Sequence, residues 1–294
     1  MRRVKTRTVL TLTLLAALAG CGGDSGARSS DRTVVAAFYP LAFAAEEIGG
    51  AGIDVRNLTA PGVEPHDLEL SGRDVRSIAD ADLVLYFGEG FQPSLEDAIG
   101  STSAHAVDLL DAVETRAGDE DEHGADEHGA DPHVWLDPVR YAGIAERIGE
   151  ELDRRPEAAR FAARLRALDR ELSRGLSRCE RKEIVTSHAA FGYLADRYGL
   201  VQVAITGISP EAEPTPRDLE AVVRQVRAVG ATTVFFETLV SPRLAETVAR
   251  EIGAKTAVLD PLEGLTGAKI AAGEDYVSVM RQNLAALRKA LTCR

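Results

Sequence analysis

Histidines 123, 128 and 133 recur at five-residue intervals within DEDEHGADEHGADPHVWLDP, the carboxylate-dense stretch from Asp119 to Pro138. That pattern points to metal chemistry. Imidazole nitrogen is a good ligand for zinc, copper and nickel, and the surrounding carboxylates set up a negative field that concentrates dications before any is bound. The competing reading is a solvated acidic loop with incidental histidines. His123 and His128 lie in two copies of Asp-Glu-His-Gly-Ala, residues 121–125 and 126–130, a composition that cannot build a core. They are candidate auxiliary ligands, able to take up a cation weakly and pass it on, or part of an acidic insertion that the fold tolerates.

Four residues, His133 among them, have a setting suited to tight ligation. His66 follows the second predicted strand, His133 lies after the fourth, His188 directly follows Ile184-Val185-Thr186-Ser187, and Asp260 directly follows Ala257-Val258-Leu259. Each is downstream of a strand's carboxyl end, where open α/β sheets place their ligand sites. Three neutral imidazoles and one carboxylate form a tetrahedral set of the kind zinc accepts. Each residue also has an ordinary role open to it. His66 sits in the turn-rich Pro61-Gly-Val-Glu-Pro-His66-Asp67, His188 stands where a helix N-cap would, and Asp260 before Pro261 is a natural turn former. Trp135, the only tryptophan, either walls the site or fills core. His105 has no comparable setting and reads as structural.

Positioning such a set requires repeated strand–helix units, and the sequence supplies them. Strands are predicted at Thr33–Phe38, Asp54–Thr59, Asp82–Phe87, Ala104–Asp108, Glu183–Ser187, Val201–Ile205, Thr233–Glu237 and Thr256–Leu259. Helical stretches such as Leu41–Ile48, Arg217–Val229, Pro242–Ile252 and Tyr276–Leu291 alternate with them, which argues for parallel sheets covered by helices. The strands fall into two groups of four, separated by a strandless stretch from Pro138 to Arg181. Within it Pro156 can open a helix, and Phe161, Leu165, Leu168, Leu172 and Leu176 recur with helical period up to Cys179. The expected fold is α/β, with two β/α lobes, each a mostly parallel four-stranded sheet, and the metal in the cleft between them. The lobes span 32–155, with the acidic loop at 117–131, and 179–294. Helix 156–178 either runs along both lobes as a spine or lies on the surface of one.

The amino terminus reads as an export signal. Arg2, Arg3, Lys5 and Arg7 precede the apolar run Val9–Ala19, which ends in Leu18-Ala19-Gly20-Cys21. This is a lipoprotein pattern: residues 1–20 are removed, Cys21 becomes the lipidated first residue, and 21–31 form a flexible tether. A leader without lipidation is the alternative. Loss of the leader takes the formal charge from -12 to -16, unfavourable for nucleic acid or anionic lipid and suited to collecting cations. The remaining Cys179 and Cys293 pair as one disulfide in an exported protein, or stay as two buried thiols.

Taken together, Ala37-Phe-Tyr-Pro40, Pro61-Gly-Val-Glu-Pro-His-Asp67, Ala79-Asp-Ala-Asp-Leu-Val84, Asp131-Pro-His-Val-Trp-Leu-Asp-Pro138, Thr186-Ser-His-Ala-Ala-Phe-Gly-Tyr193 and Phe235-Phe-Glu-Thr238 resemble the metal-binding lipoproteins of bacterial ABC transporters for zinc and manganese, most of all the zinc-uptake members. The resemblance implies two lobes joined by a rigid long helix and ligands at His66, His133, His188 and Asp260, with Glu64 or water as other occupants of the fourth position. Manganese-type members usually carry glutamate at the third ligand position, so His188 favours Zn²⁺ over Mn²⁺. It further implies a monomer outside the cytoplasmic membrane that hands metal to an ABC permease and its cytoplasmic ATPase and catalyses nothing. A manganese-binding member, a secreted zinc hydrolase and a surface adhesin are the alternatives. No His-Glu-x-x-His run supports the hydrolase.

Overall fold

The computed structural model describes residues 32–117, 129–212 and 214–294. The leader, Cys21, His123 and His128 lie outside the described residues. The first half runs β1 (Arg32–Ala36), α1 (Tyr39–Gly49), β2 (Ile53–Asn57), α2 (Gly72–Asp80), β3 (Leu83–Tyr86), α3 (Pro93–Gly100) and β4 (Ala106–Asp108). Two helices follow, α4 (Pro138–Glu151) and α5 (Arg155–Leu176). The second half runs β5 (Glu183–Thr186), α6 (Gly192–Tyr198), β6 (Val201–Ala204), α7 (Pro216–Ala228), β7 (Thr233–Phe236), α8 (Arg243–Ile252), β8 (Lys255–Val258), α9 (Gly267–Ala271) and α10 (Tyr276–Ala290). All eight predicted strands are present, with ends within two residues of the expected ones.

The strands form two four-stranded sheets in the orders β2-β1-β3-β4 and β6-β5-β7-β8, and every pairing is parallel. Val34 opposes Val55 on one side and Leu83 on the other, while Val185 opposes Val203 and Val234. Strands apolar on both faces need cover on both, and the intervening helices supply it. Proline in the first turn starts α1, α3, α4, α5 and α7, where its missing N–H leaves no helical bond unmade.

A single apolar cluster runs through both lobes. It takes Val34, Val35, Val84 and Leu85 from the first sheet, Ile184 and Phe235 from the second, and residues of α5 and α10 between them. A smaller cluster of Val185, Val203, Val226, Val234 and Val248 lies on the other side of the second sheet, beneath α7 and α8. The strandless stretch holds two helices where the sequence singled out one. α5 has 22 residues, about 33 Å at 1.5 Å per residue, and buries Phe161, Leu165, Leu168, Leu172 and Leu176. It packs against α1 and α4 of the first half and α10 of the second. Just past the ends of α5 and α10, Cys179 and Cys293 are joined in a disulfide.

Candidate metal centre

Four loops at the carboxyl ends of strands converge between the sheets. His66 comes from the β2–α2 loop, where Gln92 Nε2 donates to Pro65 O at 3.0 Å and Phe91 meets the imidazole edge-on at 4.7 Å. His133 precedes the short 3-10 turn Val134–Leu136 that leads into α4, and Asp131 Oδ1 accepts from its backbone N–H at 3.0 Å. His188 follows β5 directly, its carbonyl accepting from Thr186 Oγ1 at 2.7 Å. The fourth side chain is Glu263, in the loop after β8. That loop turns through Leu262 at φ +57°, a conformation a leucine adopts only when its surroundings enforce it.

The donor atoms meet at one point. Glu263 Oε1 lies 3.1 Å from His133 Nε2, 3.1 Å from His188 Nε2 and 3.5 Å from His66 Nε2, and the two Nε2 atoms of His133 and His188 are 3.3 Å apart. All four donors fall within 4.8 Å of one another. Four ligands about 2.0–2.1 Å from a zinc ion sit about 3.3–3.4 Å apart at the corners of a tetrahedron. Four of the six separations, at 3.1–3.5 Å, are thus close to the edges of that polyhedron, and the other two, both to His66, stay within 4.8 Å. Octahedral oxygen ligation of the kind manganese favours does not match three imidazoles around one carboxylate.

Carboxylates on the outer side orient two of the rings. Asp131 Oδ1 contacts His133 Nδ1 at 2.8 Å, and Glu237 Oε1 contacts His188 Nδ1 at 2.6 Å. With Nδ1–H donating outwards, each ring turns Nε2 towards the centre, the arrangement that fixes the tautomer of a metal-binding histidine. Burial opposes charge on both rings, but for His133 the bonds to Asp131 and Glu263 outweigh it, and for His188 the charges of Glu237 and Glu263 do so by more. Both pKa values therefore stand above the usual imidazole range. Glu263 is held well below the carboxylate range because His188, His133 and His66 overcome its burial. His66 lacks such a bracket; burial dominates, and its pKa is lowered. Glu64 is pushed up to about 9 by burial and then by the charge of Glu263.

The structure brings His66, His133 and His188 together, and the carboxylate that converges with them is that of Glu263, not that of Asp260. Asp260 belongs to the same loop but faces away from the cage and braces the turn. Its Oδ1 accepts from Leu262 N–H at 2.8 Å, and its Oδ2 takes Thr238 Oγ1 at 3.1 Å and pairs with Lys269 Nζ. An aspartate before proline is a turn former, and the next acid before Gly264 was the better candidate. Glu64 is not among the converging donors; its Oε1 accepts from His66 N–H at 3.3 Å. His105 lies apart, paired with Glu151 at 3.1 Å. Asp131 and Glu237, inside the segments Asp131–Pro138 and Phe235–Thr238, went unassigned because strand and turn patterns carry no signal for a side chain that grips another ligand from behind.

Comparison with known proteins agrees with this arrangement. The family model "ZnuA: Zinc-uptake complex component A periplasmic" matches residues 34–290. The chain is 38% identical over 276 residues to the zinc-binding lipoprotein AdcA of Streptococcus pneumoniae, covering 87% of this chain and 55% of that protein. It therefore spans about half the length of that relative. It is also 35% identical over 298 residues to the high-affinity zinc uptake system protein ZnuA of Bacillus subtilis, covering 93% of each. Among solved structures, the Zn(II)-bound ZnuA-like domain of Streptococcus pneumoniae AdcA superposes with a TM-score of 0.74 at 35% identity, over 88% of this chain and 98% of that one. A family match across nearly all the described residues, together with a four-donor cage at the strand ends, makes this chain a member of the ZnuA family of zinc-uptake components.

Proposed function

We propose that this protein captures Zn²⁺ outside the cytoplasmic membrane, anchored by lipid on Cys21, and delivers it to an ABC permease driven by a cytoplasmic ATPase. The observation that carries the reading is the cage itself: three imidazoles and a carboxylate with donor separations of 3.1–3.5 Å for four of their contacts, close to the edge of a zinc tetrahedron. His66, His133, His188 and Glu263 are the ligands, and Asp131 and Glu237 orient two of them. Relatives named for zinc binding and zinc uptake support the choice of metal. A catalytic zinc keeps one position for water, whereas here protein supplies all four donors and three of them are wholly buried. Binding for transport is the reading that suits a closed shell.

Calorimetric titration of the metal-stripped protein with Zn²⁺ and Mn²⁺ tests this. One tight, stoichiometric zinc site is expected, with weaker Mn²⁺ and no zinc-dependent hydrolysis of ester, peptide or phosphoryl substrates. Free zinc at one hundred times its Kd should stabilise the fold by about 2.7 kcal/mol. Equal or tighter Mn²⁺ binding, or turnover abolished by chelation, would overturn the proposal.

A further inference from the structure

The cage is assembled from two lobes, so something must hold the Glu263 loop of the second in register with His133 of the first. Trp135 lies two residues after His133 and is fully buried, its ring 4.9 Å from Phe38 and 6.0 Å from Phe87 in the first lobe. Its indole Nε1–H crosses to the second lobe and donates to Pro261 O at 2.7 Å, two residues before Glu263. Its own carbonyl accepts from Tyr276 Oη of α10 at 2.6 Å. The aromatic core alone would be served by any large ring; the indole N–H adds a directional bond to one atom of the loop.

The loop is stiff enough to transmit that bond. Asn283 of α10 holds both polar groups of the Asp260 peptide unit, accepting from Asp260 N–H at 2.9 Å and donating to Asp260 O at 2.7 Å. Leu262 is kept in the left-handed region, with Asp260 Oδ1 accepting its N–H. Between Asp260 and Glu263 little conformational freedom remains, so where Pro261 O sits decides where the carboxylate sits.

Building on the zinc-site reading above, we infer that Trp135 is a positioning residue for metal binding: its indole N–H, through Pro261 O, sets the distance of the Glu263 carboxylate from His133. It touches no metal and acts only through Glu263. Outer groups that orient metal ligands typically change affinity by 10–100-fold, and the lower end is expected here because the bond acts through two residues of chain.

A double-mutant cycle on the full-length protein tests the inference. Zinc Kd is measured by competition with a chromophoric chelator for wild type, Trp135→Phe, Glu263→Gln and the double variant, with metal-free Tm alongside. Trp135→Phe keeps the ring and removes the N–H. It should weaken zinc about tenfold in the wild-type background and within about twofold in the Glu263→Gln background, since coupled residues fail to add. An equal loss in both backgrounds, or no loss in the first, overturns the inference while leaving the site intact. If wild type itself shows no tight zinc, the underlying site assignment fails instead. Should Trp135→Phe not fold, benzothienylalanine incorporated at position 135 keeps the bicyclic ring without the N–H, and the same cycle decides with the same criteria.

Discussion

The two lobes share a plan and divide the labour of the site unequally. Each is a parallel four-stranded sheet in the same spatial order, second strand, first, third, fourth. On the proposed assignment the first lobe sends ligands from the ends of its second and fourth strands, and both are imidazoles. The second sends them from its first and fourth, and they are His188 and the carboxylate Glu263. The inner carboxylate thus comes from one side, while outer carboxylates back a ring in each lobe, Asp131 in the first and Glu237 in the second. A repeated fold evidently does not dictate which strand end ligates; it offers four such ends per lobe, and the loop chemistry selects two. The apolar cluster shared by both lobes and α5 packs the two half-sites against one another.

Removing one imidazole from each lobe gives the largest contrast. Structural zinc sites bind with about 10–16 kcal/mol, so an equal share per donor is about 2.5–4 kcal/mol, roughly two to three decades in Kd. His188→Ala should reach or exceed that, because it also leaves Glu237 and Glu263 buried without their partner ring. His66→Ala should lose less, since its ring sits at the edge of the cage, 9% exposed, where water can substitute. Chelator competition on both variants checks the order. A greater loss for His66→Ala would show that the first lobe, not the second, dominates affinity.

The same asymmetry has a pH signature. His188 and His133 have raised pKa values in the metal-free fold, whereas His66 is lowered. Zinc therefore competes with protons more at the carboxylate-bracketed rings than at His66. Titration in buffers of different ionisation enthalpy should find at least one proton released. The stability of the metal-free protein follows with the opposite sense. A raised histidine contributes stability that is complete below its unfolded pKa, about 6.5, and is lost as pH climbs through the folded value; the depressed Glu263 contributes above its unfolded value and is lost as pH falls through the folded one. The window favouring the empty cage is thus mildly acidic, and the zinc-induced rise in Tm should grow from pH 6 to pH 8. A rise that stays flat over that interval would show that the rings are already neutral.

Much of this could be read from the sequence because it lives in short-range pattern. The alternation of Val34, Val84, Val185 and Val234 with helical stretches marks the sheets, and the histidines at 66, 133 and 188 stand where strand ends place ligands. What escaped depends on the direction of a loop side chain. Asp260 and Glu263 are three residues apart, and the choice between them is made by Leu262 in the left-handed region and by Asn283, far along the chain on α10. Local propensity contains neither fact. Asp131 and Glu237 escaped for the same reason, since each acquires its role only when a histidine's Nδ1 arrives beside it.

The smallest effect is expected where the sequence looked richest in ligands. Ala117 and Ala130, on either side of the acidic histidine segment, form an antiparallel bridge. Its base is clamped from the second lobe by Tyr193, whose hydroxyl donates to Asp131 O at 2.7 Å and accepts from Arg116 N–H at 2.7 Å. Closure therefore depends on residues outside the segment, and the four converging donors lie outside it too. Deleting residues 118–128 and joining Ala117 to Gly129 should leave the tight zinc Kd within about twofold, the scatter of independent sites, while removing any weaker second zinc equivalent seen by titration. A tenfold loss at the tight site would place a donor of the first lobe within the deleted segment, and the division of ligands between the lobes would have to be redrawn.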